Sequence, residues 1–306
     1  MVVSAAVRFA FAKAHPAPWI FSDELVYAGL AQSVADSGHF ALRDAPGLQG
    51  YGPGYPLLIA PAYAIFDDLA HAYAAAKAIN AVLMSLAAVP VYLIARRVVS
   101  VPLALVSAAL ALAIPSFLYT GTIMTENAFY PAFCLALLGL LAALERPTLL
   151  RQLGALALVF VAFLIRAQAV TLVLAFATAI VLVCLVEARV AGRLARRDVT
   201  RRLLEYRVTW IALAGGALLV LGAGLVRGRS PSQVLGGYRG LLDFDYDVGQ
   251  VARWFLLHAG ELDLYVGVLP FAAFIALVLR SLSRADMPRP LRLFGLLGVS
   301  VAVWMT

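Results

Sequence analysis

Apolar residues fall along this chain in blocks, and the blocks set its elements. Residues 2–12 are apolar but too few to cross a bilayer, which takes about 20 residues. They read as the end of a first helix whose beginning is missing. His15-Pro16-Ala17-Pro18 then stops that helix, because proline removes a backbone donor and crowds the preceding turn. Ser22 is a good N-cap and Gly38 a good C′ residue, which predicts a helix between them with Leu25, Val26, Leu30 and Val34 on one side. It is too short and too polar to cross, and is expected to lie along the membrane interface. A Gly/Pro-rich loop with aromatic residues, 43–56, leads to a second short apolar helix at about 57–66.

Longer apolar runs follow, and predict spans at 73–94, 103–119, 128–144, 153–165, 170–186, 210–226, 265–279 and 291–306. The run 153–165 is short, and joined to 170–186 it reads as one unit broken at Arg166. The last run reaches Thr306 with no polar stop, so both ends are expected to be cut from a longer protein. The pattern predicts an all-α fold: a polytopic transmembrane helical bundle, one domain over 1–306. Within it lie a first external loop with interfacial helices at 13–72, a basic cytoplasmic loop at 187–209 and a second large external loop at 227–263.

Composition agrees. The chain is 63% hydrophobic and 13% charged, against about 45–50% and about 25% for soluble domains. Cys134 and Cys184 sit inside apolar runs and read as buried thiols, outside any disulfide or metal site. The net charge of +7 would suit nucleic acid only if it gathered on a soluble face. It does not. Fifteen of the 24 basic residues fall on alternate loops, among them Arg96, Arg97, Arg146, Arg151, the run 189–207, Arg280 and Arg292. By the positive-inside rule those loops are cytoplasmic, and the basic run faces anionic membrane lipid, with no nucleic acid partner. Twelve of the 17 acids fall on the other side, Asp23, Glu24, Asp67, Asp68 and Glu126 included. The reading is a multi-pass cell-membrane protein.

Candidate chemistry starts at Asp23-Glu24. One carboxylate at a helix N-terminus complements the helix dipole. A pair beside aromatics and a Gly-Pro loop fits a substrate site, and suits proton abstraction from an incoming hydroxyl. Tyr27 lies one turn from Asp23 on the same face. Glu126 stands in a polar island, 119–127, either capping the next helix after Thr125 or pointing toward the same cavity. Arg166 and Gln168 interrupt a long apolar stretch. Arginine there binds a phosphate bidentately or snorkels between two spans. Lys77, in the outer half of its span, is a second cation candidate. The run Asp243-Phe244-Asp245-Tyr246-Asp247 is only superficially a calcium loop, since Trp254 occupies the last ligand position. No metal site is assigned.

The order of these features resembles the GT-C superfamily of polytopic glycosyltransferases, which includes protein O-mannosyltransferases, the aminoarabinose transferase of lipid A and bacterial phospholipid-carrier-dependent glycosyltransferases. The residues that carry the resemblance are Asp23-Glu24 with Tyr27, then Tyr51-Gly52-Pro53-Gly54-Tyr55-Pro56-Leu57-Leu58, Thr125-Glu126-Asn127-Ala128-Phe129-Tyr130-Pro131 and Arg166-Ala167-Gln168. The resemblance implies a polyprenyl-phosphate-linked sugar as donor, and an acceptor glycan, lipid or protein. It also implies inverting transfer on the extracytoplasmic side, with Asp23 or Glu24 as the catalytic acidic residue. Tyr27, Tyr51, Tyr55, Lys77, Glu126, Asn127, Arg166 and Gln168 would then bind substrate. No cofactor is required by this reading, and a divalent metal is left open. The rival classes are a transporter or lipid flippase, against which the chain shows no second copy of the segment 23–56, and a non-catalytic subunit of the same fold.

Overall fold

The computed structural model describes residues 1–14, 16, 21–42, 45–46, 51–113, 117–192, 195–226, 247–283 and 286–305. Helices dominate. They are α1 (Val2–Lys13), α2 (Ser22–Ser37), α3 (Gly54–Ile65), α4 (Leu69–Leu86), α5 (Ala88–Ala95), α6 (Val101–Leu112), α7 (Phe117–Thr120), α8 (Glu126–Glu145) and α9 (Leu149–Ile165). A 3-10 turn at Ala167–Val170 precedes α10 (Thr171–Val190), α11 (Arg196–Leu204), α12 (Arg207–Val226), α13 (Val248–Val266), α14 (Val268–Ser283) and α15 (Arg289–Met305). Among the described residues the sole strands, β1 (Ala41–Leu42) and β2 (Ala45–Pro46), pair antiparallel after α2. The protein is an all-α polytopic helical bundle.

Among the described residues four helical stretches are long and apolar enough to cross a membrane: Leu69–Ala95, Glu126–Glu145, Ala167–Val190 and Arg207–Val226. Gly54–Ile65, Val101–Leu112, Leu149–Ile165 and Val268–Ser283 are apolar but shorter. The first crossing stretch changes helix at Ala87. Pro90 has no amide for the Leu86 carbonyl, and its ring crowds that carbonyl.

Several expected boundaries move. The residue at the cap of α2 is Phe21, extended at φ −100° and ψ 129° with no side-chain cap bond, so Ser22 is the first helical residue and not the N-cap. Gly38 ends the helix as expected, left-handed at φ 71°. The buried stripe of α2 runs through Glu24, Tyr27, Leu30 and Ala31, while Leu25 is exposed. The apolar run 265–279 is cut by Gly267 at φ 90°, and its first residues belong to α13. That helix also fills 248–263 of the expected external loop. Asp247 caps it by accepting from the Gln250 amide at 3.2 Å. The rest of that loop, Asp243 and Asp245 included, lies outside the described residues, as do His15, Ala17 and Pro18. The basic loop is partly helical, with α11 inside it.

The chain divides into two compact units, Met1–Gly139 with Ala155–Val170, and Leu140–Gly154 with Thr171–Thr306. The first holds every candidate site residue. Its core packs Tyr27, Ala31, Tyr55, Ile59, Tyr63, Tyr73, Ile123 and Ile165 from α2, α3, α4, the polar island and the end of α9. In the second, Glu187 accepts from Arg289 Nε at 2.7 Å and from Arg202 at 2.9 Å, tying α10 to α11 and the start of α15.

Candidate functional site

Successive residues of a helix point about 100° apart, and on α2 that separates the two acids. Asp23 is half-buried, and its Oδ1 accepts a hydrogen bond from the Tyr51 hydroxyl at 2.7 Å. Glu24 is 2% exposed and faces the core. Its Oε1 accepts from the Tyr73 hydroxyl at 2.6 Å and from the Ile123 amide at 2.9 Å. Its Oε2 is buried without a hydrogen-bond partner among the described residues.

Around Asp23 the chain assembles a corner of aromatic and charged groups. The Tyr27 ring meets Tyr51 edge-on with centroids 5.1 Å apart, and Tyr55 likewise at 5.4 Å. Arg166 forms a short ion pair with Glu126, donates to Gln168 Oε1, and reaches Thr125 Oγ1 at 3.4 Å. The guanidinium also stands 5.9 Å from the centre of the Phe129 ring. Burial raises the Tyr27 phenol above its ordinary range. Thr125 and Arg166 oppose that rise, and the charges of Asp23 and Glu126 add to it, so all four groups act on one hydroxyl. Tyr51 is pushed up to about 12, first by its bond to Asp23 and then by burial. At neutral pH it is therefore a donor to that carboxylate.

Two glycines let the loop reach this corner. A Cβ at Gly52 would lie 2.3 Å from the Leu164 carbonyl oxygen, and one at Gly54 would lie 2.9 Å from the same backbone. Contacts that close are repulsive, so the loop lies against the end of α9 only because both positions lack a side chain. Arg166 follows directly, where α9 gives way to the 3-10 turn.

Asp23, Tyr27, Tyr51, Glu126, Arg166 and Gln168 are thus brought to one region. Glu24 turns to the core, and three other candidates have their polar groups engaged inside the fold, Tyr55 among them although its ring touches Tyr27. Tyr55 is fully buried and donates to Asn80 Oδ1 at 3.0 Å. Asn127 holds the polar island closed, donating to the carbonyls of Tyr119, Thr122 and Met124. Lys77 is buried, donates to the Ala12 carbonyl at 2.9 Å, and lies 4.4 Å from the centre of the Tyr73 ring. Each is spent inside the fold. The sequence reading missed Tyr63 and Tyr73, although a tyrosine in an apolar helix carries a hydroxyl that needs a partner, which is a signal in itself. It also missed Arg8, which is buried and donates to Thr120 Oγ1 at 2.9 Å and the Leu112 carbonyl at 2.7 Å. Among the described residues no group of three or more His, Cys, Asp or Glu is placed to hold a metal ion.

The other side of α2 borders a cavity of about 1490 Å³ whose wall includes Glu24, Tyr63 and Tyr73. The arrangement offers one carboxylate held by a phenol beside an arginine–glutamate pair, and a second carboxylate, on a residue of the cavity wall, with one buried oxygen that has no partner among the described residues.

The sequence pattern of the family described as dolichyl-phosphate-mannose-protein mannosyltransferase matches residues 49–221, more than half of the chain. The match takes in the Tyr51–Pro56 loop, the polar island and Arg166, and begins after Asp23 and Glu24. Comparison with curated proteins and with solved structures gave no match.

Proposed function

The chain belongs to the dolichyl-phosphate-mannose-protein mannosyltransferase family, membrane glycosyltransferases of the GT-C type, and on that premise we propose that it transfers a sugar from a polyprenyl-phosphate carrier to an acceptor hydroxyl on the extracytoplasmic face of the cell membrane. The observation that carries the residue assignment is the 2.7 Å bond from Tyr51 to Asp23, in the corner shared with Tyr27 and the Arg166–Glu126 pair. A carboxylate fixed through one oxygen keeps the other for a substrate proton.

In this reading Asp23 takes the proton from the acceptor hydroxyl as its oxygen attacks the anomeric carbon. The bond from that carbon to the phosphate oxygen breaks, and the polyprenyl phosphate leaves with the electron pair. Attack and departure on opposite faces invert the configuration. Arg166 receives the phosphate. Its charge is already shared with Glu126, so it contributes oriented N–H donors more than net charge. Glu126 and Gln168 hold the guanidinium in place, and Tyr27 and Tyr51 line the approach. Lys77 takes no part, since its amine is bonded to the Ala12 carbonyl.

The test is transfer from radiolabelled polyprenyl-phosphate sugars by the protein in lipid nanodiscs. Asp23→Asn is expected to cut turnover by about 10²- to 10⁴-fold, the usual contribution of a positioned base, with thermal unfolding unchanged. Turnover near wild type in a folded Asp23→Asn protein sinks the assignment of the base. Absence of transfer from every polyprenyl-phosphate sugar by the wild type sinks the donor.

A further inference from the structure

The cavity on the second side of α2 has no role in the transfer just described. It holds about 1490 Å³, with Glu24, Tyr63 and Tyr73 at a polar end and Phe21, Leu25 and Leu42 along apolar surface. Two buried oxygens at the polar end lack a hydrogen-bond partner among the described residues, Glu24 Oε2 and the Tyr63 hydroxyl. Such groups are rare in folded proteins, because water solvated them before folding and nothing replaces it. Glu24 cannot turn to relieve the deficit. Its Oε1 is held by the Tyr73 hydroxyl and the Ile123 amide, and that anchoring leaves Oε2 buried within the wall with no hydrogen-bond partner among the described residues.

The charge of the wall narrows what fits. Its described residues include the acids Glu24, Asp36 and Asp68, and neither lysine nor arginine. Asp68 is engaged as the cap of α4 and with His71. Lys77, within electrostatic reach of Glu24, is turned to the Ala12 carbonyl and is not part of the wall. Among the described wall residues a phosphate meets these carboxylates and the imidazole of His39, and no lysine or arginine. A hydroxyl meets an acceptor in Glu24 Oε2 and a donor in Tyr63.

We propose that this cavity is a second ligand site that binds the uncharged, hydroxyl-bearing part of the acceptor, a sugar ring joined to an apolar tail. Glu24 Oε2 accepts from one ring hydroxyl, Tyr63 bonds a neighbouring oxygen, and the tail lies along Phe21, Leu25 and Leu42. Naming the ligand as the acceptor rests on the glycosyltransferase reading; the binding chemistry does not.

The test is titration of the full chain in lipid nanodiscs with hexyl β-glucoside, hexyl β-galactoside and hexyl α-mannoside, and with hexyl phosphate as the anionic control, empty nanodiscs being subtracted. At least one hexyl glycoside is expected to bind saturably, and hexyl phosphate at least about tenfold more weakly. Glu24→Gln keeps a carbonyl for Tyr73 and Ile123 and replaces the bare acceptor with an amide donor; it is expected to weaken the glycoside about tenfold or more. Tyr63→Phe removes a hydroxyl that has no hydrogen-bond partner among the described residues, and a several-fold weakening is expected even if Glu24→Gln fails to fold. Asp23→Asn is expected to bind the glycoside as wild type does. Loss of transfer with binding intact then separates the two sites. Glycoside binding by a wild type that transfers no sugar leaves the cavity standing and removes the naming of its ligand as the acceptor. No saturable glycoside binding, phosphate binding equal to or tighter than glycoside, or an unchanged affinity in Tyr63→Phe overturns the proposal.

Discussion

The Tyr51 hydroxyl does two things for Asp23: it fills a lone pair of Oδ1, and it fixes the rotation of the carboxylate. Tyr51→Phe removes the donor and keeps the ring against which Tyr27 packs. A hydrogen bond to a charged group contributes about 1.5–3 kcal/mol, and about 1.4 kcal/mol at the barrier is tenfold in rate. Tyr51 is partly exposed, so the lower end applies. The expected result is a roughly tenfold fall in kcat with KM for the lipid donor little changed, read from steady-state transfer. A raised KM with intact kcat would move Tyr51 to donor binding. The same bond has a pH signature. The Tyr51 phenol is raised to about 12, chiefly by Asp23. Its contribution to stability is present below the ordinary tyrosine value of about 10 and is lost as pH climbs through about 12. Asp23→Asn should bring the ionisation of this phenol down toward 10, followed through the ring carbon resonance of labelled tyrosine. An unmoved Tyr51 titration would show that Asp23 does not hold it. The acidic pair itself was legible as chemistry in the sequence. What was not legible is where each long side chain ends. Lys77 reads as a cation near a membrane surface, yet its amine closes on a carbonyl 65 positions earlier in the chain.

An element is placed by what its backbone permits, and the Tyr51–Pro56 loop shows how narrow that permission is. Its two glycines are plain in the sequence as turn formers, but the reason they are needed lies at Leu164, more than a hundred residues away. Gly52→Ala puts a carbon 2.3 Å from a carbonyl oxygen that belongs to a helix end and does not yield cheaply. Overpacking of this kind costs about 1–3 kcal/mol. Because Arg166 follows at once, transfer should fall further than stability does. Thermal unfolding and transfer measured on one nanodisc preparation separate the two losses. Gly215→Ala in α12, where nothing lies within 4 Å, is the control. It should be neutral, or slightly stabilising through helix propensity. Full activity in a stable Gly52→Ala protein would detach the loop from the site. Helix ends with chemical punctuation, such as Gly38 in its left-handed turn, could be read in advance. Ends without it could not. Phe21 caps α2 by backbone conformation alone.

At the scale of the molecule, the segregation of charge carries the topology. Arg196, Arg197, Arg201 and Arg202 stand on α11, which has no buried residue, while Asp23 lies in the first turn of α2 and Asp67 and Asp68 just precede α4, in the first unit. Moving the guanidinium groups of α11 across a bilayer would oppose both the potential and the hydrocarbon barrier, so the proposed extracytoplasmic site predicts the acids on the face opposite to α11. Cysteine labelling checks this directly, because Cys134 and Cys184 are both buried and give little background. In intact cells, Asp67→Cys at its exposed site is expected to react with a membrane-impermeant maleimide. Arg197→Cys is expected to react only after the membrane is opened. The opposite pattern would put the Asp23 corner in the cytoplasm, where a donor carried to the outer leaflet never reaches it. Equal labelling at both positions before permeabilisation would mean that an even number of crossings lies between them, whereas the three helical stretches of crossing length in that interval, Leu69–Ala95, Glu126–Glu145 and Ala167–Val190, make an odd one.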